Sequence, residues 1–186
     1  MRSLIVSEFV TLDGVMEAPG GETTHPHTNW VSEFPGDEMF EFKYDEIVEA
    51  DTLLIGRVTY ESFAGAWPTY EGPFADKMNS MPKVAVSSTL TDPEWNNTTV
   101  ISGDAVTGVG DLKSGEGGPI LVAGSCRLVH TLLEHDLVDE LRLMVFPISI
   151  GAGLRVFPDT RKKALWDFVS TRSFPNGVRL DIYRPA

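Results

Sequence analysis

Three short stretches hold the residues best suited to chemistry: IGRVT at 55–59, VSSTL at 86–90 and VAGSCR at 122–127. Each follows an apolar run and precedes a segment that reads as helix or turn. In a parallel α/β sheet such junctions lie at the carboxyl ends of strands, where the first N–H groups of a helix have no partner and favour an anion. Gly56 and Gly124 let a ligand approach the backbone. Thr59, Ser87, Ser88 and Ser125 bring hydroxyls, and Arg57 and Arg127 bring cations that pair with anionic oxygens. One glycine at a strand end is an ordinary turn device, and one serine before a helix is an ordinary cap. Three such junctions in one small chain, two of them with arginine, point to an anionic ligand of dinucleotide size.

Other chemistries lack their residues. No G-x-G-x-x-G follows the first apolar run, and there is no G-x-x-x-x-G-K-[ST] or G-x-S-x-G. His25 and His27 stand two apart with no Cys or His cluster to complete a metal site, so no metal is expected. His130 and His135 stand five apart on one helical segment and do not share a face. Cys126, at a helix start, reads either as a thiol of lowered pKa or as a small packed side chain, and packing is the better reading. Asp13 is the first candidate for a proton donor, with Glu17 or an ordered water behind it. The position of Asp13 in TLDG equally suits a turn-former.

The formal net charge of −12 opposes nucleic acid and anionic membrane surfaces, since both require a basic footprint. A phosphorylated ligand must then be held by local helix termini and placed arginines. No apolar run approaches the ~20 residues of a membrane span. The opening MRSLIVSEFV reads as a first strand, not a signal peptide. A single cysteine excludes an internal disulfide and fits a reducing cytoplasm. The expected partner is a small molecule.

The elements that must position these residues follow from periodicity. Residues 4–10 read as a strand and 15–36 as a long loop of Pro, Gly, Thr and His. Residues 37–50 read as an amphipathic helix with Met39, Phe40, Ile47 and Val48 as its apolar residues. A strand at 52–55 leads to a helix from about 58, broken by Pro68. A short helix in PFADKMNSMP, strands KVAVSS and TTVIS, and a short helix near 106–113 come next. Strand 120–122 leads to a helix from Cys126, and LRLMVFPISIGAG is a strand ending in a glycine loop. Asn176-Gly177 turns a final hairpin. Strands alternating with helices, then a hairpin, predict a single α/β domain over 1–186. Its sheet is mostly parallel with an antiparallel C-terminal edge.

LLIGRVTYESF, VAVSST, TLDG and the run ILVAGSCRLVHTLLEHDLVDELRLMVFPISIGAGLRVFPD resemble the dihydrofolate reductase-like superfamily. Within it the chain is most similar to the branch of the C-terminal reductase domain of the riboflavin-biosynthesis protein RibD. The resemblance implies a three-layer αβα fold around a mixed sheet, a bound NADPH and reduction of a small heterocyclic compound. By position, Gly56, Arg57 and Thr59 would meet the cofactor phosphates and ribose, and Ser87 and Ser88 the adenosine half. Gly124, Ser125, Arg127 and Leu128 would wrap the pyrophosphate, and Val10, Thr11 and Gly14 would border the nicotinamide. Trp30, Trp67, Gly151 and Gly153 would line the substrate pocket. Dihydrofolate reductases carry an acid on the helix before the Gly-Arg strand. Here that register falls near Phe40, which argues against folate. The branch also implies a homodimer. A non-catalytic NADP(H) sensor, or a module that has lost the cofactor, are the rival readings. The intact GRVT and AGSCR stretches weigh against the module.

Overall fold

The computed structural model describes residues 1–160 and 162–186. Its strands are β1 (Leu4–Thr11), β2 (Thr52–Gly56), β3 (Lys83–Val86), β4 (Thr98–Ile101), β5 (Ile120–Val122), β6 (Glu140–Phe146), β7 (Trp166–Ser173) and β8 (Arg179–Pro185). Its helices are α1 (Asp37–Glu49), α2 (Arg57–Ala66), α3 (Pro73–Ser80), α4 (Ala105–Ser114) and α5 (Cys126–Glu134). The eight strands form one sheet in the order β4-β3-β2-β5-β1-β6-β8-β7. Pairing is parallel from β4 across to β6. It is antiparallel at β6–β8 and β8–β7. This is the expected mixed sheet with a C-terminal hairpin.

The central strands are apolar on both faces because helices cover both. Successive residues alternate sides. Leu4 and Val6 of β1, Leu54 of β2, and Ile120 and Val122 of β5 pack with Val109 of α4 and Leu128, Val129 and Leu132 of α5. Ile5, Leu53, Ile55 and Leu121 pack on the other face with Ile47 of α1, Tyr60 of α2 and Met78 of α3. A third cluster joins Met39 and Trp30 to Met144 and Phe146 of β6 and to Phe174, Val178 and Leu180 around the hairpin.

Two elements, α1 and β3, depart from the expected pattern. On α1, Met39 and Ile47 are buried as the amphipathic reading requires, but Phe40 and Val48 are about half exposed and Glu46 takes a buried place. Neighbouring helical residues point ~100° apart, so 39 and 40 cannot share a face. Lys83 opens β3 with no exposure at all. Its ammonium donates to the carbonyls of Met78, Asn79 and Met81 at 2.8, 3.1 and 2.8 Å, and lies 4.4 Å from the Trp95 ring centre. It thereby satisfies carbonyls at the end of α3 that the helix itself leaves unpaired.

The topology also makes an opening. β5 is three residues long and lies between longer strands, with Val122 opposite Val6 of β1 and Leu54 of β2. Beyond Val122, β1 continues through Ser7, Glu8 and Phe9 with no paired strand on that side among the described residues. A crevice therefore forms at the carboxyl ends of β1, β5 and β2, where α2 and α5 begin.

Candidate functional site

A cavity of about 1000 Å³ fills that crevice and spreads over the starts of α2 and α5. Its walls include Gly56, Arg57, Thr59, Ser87, Ser88, Gly124, Ser125, Arg127 and Leu128, so the three junctions named from the sequence meet at one site. Two of them interlock. The Ser125 hydroxyl accepts the backbone N–H of Thr59 at 3.1 Å and lies 2.9 Å from the Thr59 hydroxyl. Ser125 therefore serves the first turn of α2 and makes no cap bond to its own helix. The glycines follow from this closeness. A Cβ on Gly56 would come 2.7 Å from Ser125 Oγ, and one on Gly124 would come 2.6 Å from Thr59 Oγ1, with Gly124 at a positive φ of 78°. Those contacts are shorter than side chains tolerate, so both positions exclude a side chain, and two helix N-termini converge on one volume.

The charged side chains differ in commitment. Arg57 donates to both carboxylate oxygens of Glu61, one turn along α2, at 2.7 and 2.9 Å. Arg127 is exposed and makes no side-chain hydrogen bond or ion pair among the described residues. Ser87 spends its hydroxyl on the backbone N–H groups of Thr89 and Leu90, at 3.1 and 3.0 Å, which shapes the turn after β3. Ser88 lies beside it on the cavity wall.

The first-strand turn does not border the cavity. Val10 is buried in the core with Leu128. Thr11 is buried, and its hydroxyl accepts the Val15 N–H at 2.9 Å. Gly14, at φ 83°, joins the turn to residue 156 through its carbonyl. The wall is formed instead by Met16, Glu17, Ala18, Pro19 and Gly20. Asp13 is not placed as a catalyst. Its carboxylate accepts from the Thr11 hydroxyl at 2.6 Å and from the Gly151 and Ile150 amides at 2.7 and 3.4 Å. The Thr11 bond leads in holding it below the usual carboxylate range, so it is an acceptor with no proton to give. It ties the β1 turn to the loop after β6.

That loop holds Gly151 and Gly153, and neither faces the cavity. Gly151 serves Asp13, and a Cβ on Gly153 would meet Val15 at 2.6 Å. Leu154 is the residue of this loop that lines the cavity. Trp30 is not a pocket residue either. Its ring is buried against Phe146, 5.2 Å between centres, and its indole N–H donates to the Glu17 carbonyl at 3.0 Å. Trp30 thus braces the wall from behind, and within the wall the Leu154 N–H donates to the Glu17 carboxylate at 2.9 Å. Trp67 does reach the cavity, packed with Phe63, Tyr70 and Phe74.

Two charged side chains on the cavity wall, Lys43 and Glu8, were not singled out from the sequence, nor was Glu46 behind them. Lys43 of α1 donates to the Ser7 hydroxyl at 2.9 Å and to Glu46 at 2.5 Å. Glu46 also holds Arg142 of β6 at 3.1 Å. Phe40, Lys43 and Ile47 all line the cavity at helical spacing. Glu8 lines it from β1, and burial pushes its carboxyl up to about 8. A Lys four residues before a helical Ile is a faint periodic signal. Glu8 only interrupts the apolar first strand beside Ser7, which does not mark it as a cavity residue.

The remaining candidates are inert. Burial pushes the Cys126 thiol up to about 11, against the lowered pKa considered for it, and its sulfur lies 3.3 Å from His130 Nε2. His25 Nδ1 accepts the His27 N–H at 3.0 Å, so Nε2 carries the proton and donates to the Ala152 carbonyl at 2.8 Å. Among the described residues no group of three His, Cys, Asp or Glu side chains is arranged to hold a metal, and no helix is long and apolar enough to cross a membrane.

Comparison with known proteins agrees with this architecture. A family model, "RibD C-terminal domain", matches residues 2–180. The Bacillus subtilis proteins YyaP and YwjB, both named as uncharacterized, are 29% and 26% identical over 98% of this chain, covering 94% and 98% of their own lengths. A putative riboflavin biosynthesis protein from Shewanella superposes with a TM-score of 0.79 at 20% identity, over 100% of this chain and 99% of its own. Dihydrofolate reductase from Enterococcus faecalis, solved with NADP(H), superposes at 0.62 and 16% identity over 98% and 96%. A Thermotoga maritima deaminase/5-amino-6-(5-phosphoribosylamino)uracil reductase superposes at 0.67 and 16% identity, over 100% of this chain and 57% of its own. By its sheet and by the family match over nearly its whole length, the chain belongs to the RibD C-terminal domain family.

Proposed function

We propose that the protein is an NADPH-dependent reductase of a small heterocyclic compound, of the aminouracil-reductase type. One observation carries the reading: two helix N-termini, locked together through Thr59 and Ser125, open onto a single large cavity with apolar walls. Their free N–H groups and the uncommitted Arg127 suit a pyrophosphate, and the glycines leave no side chain in the way. NADP(H) in the similar Enterococcus reductase supports the choice of ligand.

Bound NADPH supplies the hydride. The chain's own residues hold and orient. The starts of α2 and α5 take the phosphates, and the turn at Ser87 and Ser88 takes the adenosine end. Met16, Ala18 and Leu154 keep water from the middle of the cavity. Phe40, Lys43, Ile47 and Trp67 surround the remaining volume, where a flat ring with an acceptor oxygen meets apolar faces and one ammonium.

A screen for substrate-dependent NADPH oxidation across pterins, pyrimidinones and quinones tests the reading. Turnover of at least one class is expected. NADPH binding with no turnover in any class would favour a sensor.

The proposal extends to a homodimer through β7. Phe168 and Val169 on this outer strand are 61% and 43% exposed, and its outer edge has no partner strand in the sheet. Light scattering on a sizing column should give twice the 20.4 kDa chain mass, and Phe168→Lys should give the monomer. A wild-type monomer at all concentrations would remove the claim.

A further inference from the structure

Glu8 is the least expected side chain in the crevice. Strand alternation puts it on the face of β1 that also carries Leu4, Val6 and Val10, toward α4 and α5. It is 7% exposed. Its Oε1 accepts the backbone N–H of Gly124 at 2.7 Å, and its other oxygen has no protein partner among the described residues. Gly124 is the residue that seats the start of α5 against Thr59, so Glu8 holds the centre of the interlocked junction from below.

Among the described residues no cation pairs directly with Glu8, and the Lys43 ammonium lowers its pKa only in part against burial. Lys43 of α1 is engaged by Ser7 and Glu46. From α5, Cys126 faces it as a thiol held neutral by burial, and Arg127 is turned to solvent. Glu46 adds negative charge at Glu8, and Glu17 does so at the adjoining Cys126. An ionised Glu8 would be an unpaired buried charge next to the groups that would receive phosphate, and two like charges in a low-dielectric crevice repel strongly. Burial accordingly holds its carboxyl up to about 8.

We propose that Glu8 is a positioning residue for the dinucleotide: uncharged, it fixes the Gly124 amide, and its ionisation opposes phosphate binding, so that affinity is tied to one proton. This rests on the NADPH reading above. It supplies a pH response that the cradle alone does not have.

The test is NADPH titration by fluorescence for wild type, Glu8→Gln and Glu8→Ala, with the melting temperature of each free protein followed over the same pH range. Wild type should bind roughly tenfold more weakly at pH 9 than at pH 7, since one unit above the pKa ten parts in eleven are ionised. Glu8→Gln keeps an acceptor for Gly124 and cannot ionise, so its affinity should be flat over that range. Glu8→Ala lacks the acceptor and should bind more weakly than Glu8→Gln throughout. In the free proteins, the folded state alone keeps the Glu8 proton between pH 4.5 and about 8, so wild-type stability falls as pH rises through that window. Glu8→Gln should therefore melt higher than wild type at pH 8 and equally at pH 4.5. Parallel pH profiles for wild type and Glu8→Gln overturn the coupling. Equal melting temperatures at pH 8 overturn the uncharged Glu8. An absence of NADPH binding in all three proteins overturns the function reading itself, and the coupling with it, while the melting curves still report the Glu8 proton.

Discussion

Thr59 and Ser125, 66 positions apart in sequence, place their hydroxyl oxygens 2.9 Å apart at the starts of two different helices. The Ser125 hydroxyl also accepts the Thr59 amide, so the first turn of α2 is capped by the loop that begins α5. Ser125→Ala removes that acceptor. A lost cap costs about 0.5–2 kcal/mol, so the melting temperature should fall by only a few degrees. NADPH affinity should fall by about tenfold, because the two N-termini lose their mutual register. A mutant with wild-type affinity would show that the junction is a packing feature alone.

The Arg57–Glu61 pair bears on the choice between NADPH and NADH. Arg57 lies at the start of α2, on the cavity wall with Ser87 and Ser88, and in the proposed NADPH site it would be the group that meets the adenosine 2′-phosphate. A charged hydrogen bond to phosphate contributes roughly 1.5–3 kcal/mol, so Arg57→Ala should narrow the NADPH preference by about one to two orders of magnitude. Glu61 competes for the same guanidinium. An exposed i,i+4 pair is worth only about 0.3–0.5 kcal/mol, so Glu61→Gln should widen the preference by about twofold. Both cofactors should be titrated at one ionic strength. Equal losses of NADPH and NADH in Arg57→Ala would assign the arginine to the shared pyrophosphate.

Glu46 has no exposed side chain and bridges Lys43 and Arg142, at 2.5 and 3.1 Å. Removing one partner of a buried pair strands the others, so Glu46→Ala should destabilise by about 3–5 kcal/mol. Its pH signature has a definite sign. Burial pushes the carboxyl up, but Lys43, Arg142 and Ser7 together outweigh burial and hold it below its ordinary value of 4.5. A carboxylate depressed in this way adds stability above its unfolded pKa and loses it as pH falls through the folded one. Wild type should lose stability on acidification below pH 4.5. Glu46→Gln should be less stable at neutral pH and show a flatter acid limb, read from melting temperatures across that range.

Folate should be a poor substrate. The α1 wall of the cavity is Phe40, Lys43 and Ile47, and none of these is an acid. Glu46 is turned behind the wall into its ion pairs. A protonated pterin ring would meet an ammonium where it needs a carboxylate. Dihydrofolate turnover in the ordinary range of enzymes, about 1 to 1,000 per second, would contradict this.

Much of this organisation was readable from residue patterns. The strand and helix sequence follows periodicity, and the doubly covered strands follow their unbroken apolar runs. The three junctions met because parallel strands end at the same edge of a sheet, a rule of topology that needs no contact map. What was not readable depends on contacts between distant segments. Asp13 sits in a turn that also suits catalysis, and only the Gly151 and Ile150 amides, more than 130 residues away, show it to be a tether. Trp30 reads as a stacking face in a polar loop, yet Phe146 and the Glu17 carbonyl draw it into the core. Glu8 in the sequence does no more than interrupt the apolar run of the first strand. It is buried because β5 stops short and α5 closes over the gap. Lys83, an ordinary strand-opening lysine by sequence, is buried because α3 ends directly above it and offers three carbonyls.

The starts of α2 and α5 are proposed to form a dinucleotide cradle. Equilibrium titration of wild type and Gly124→Ala with NADPH tests it most directly. The added methyl falls 2.6 Å from Thr59 Oγ1 at a φ of 78°, and so forces the two junctions apart. Wild type should bind in the micromolar range, on the order of −8 kcal/mol, and a mutant that still melts cooperatively should lose at least about tenfold. Undiminished binding by Gly124→Ala, or no NADPH binding by wild type, would contradict it.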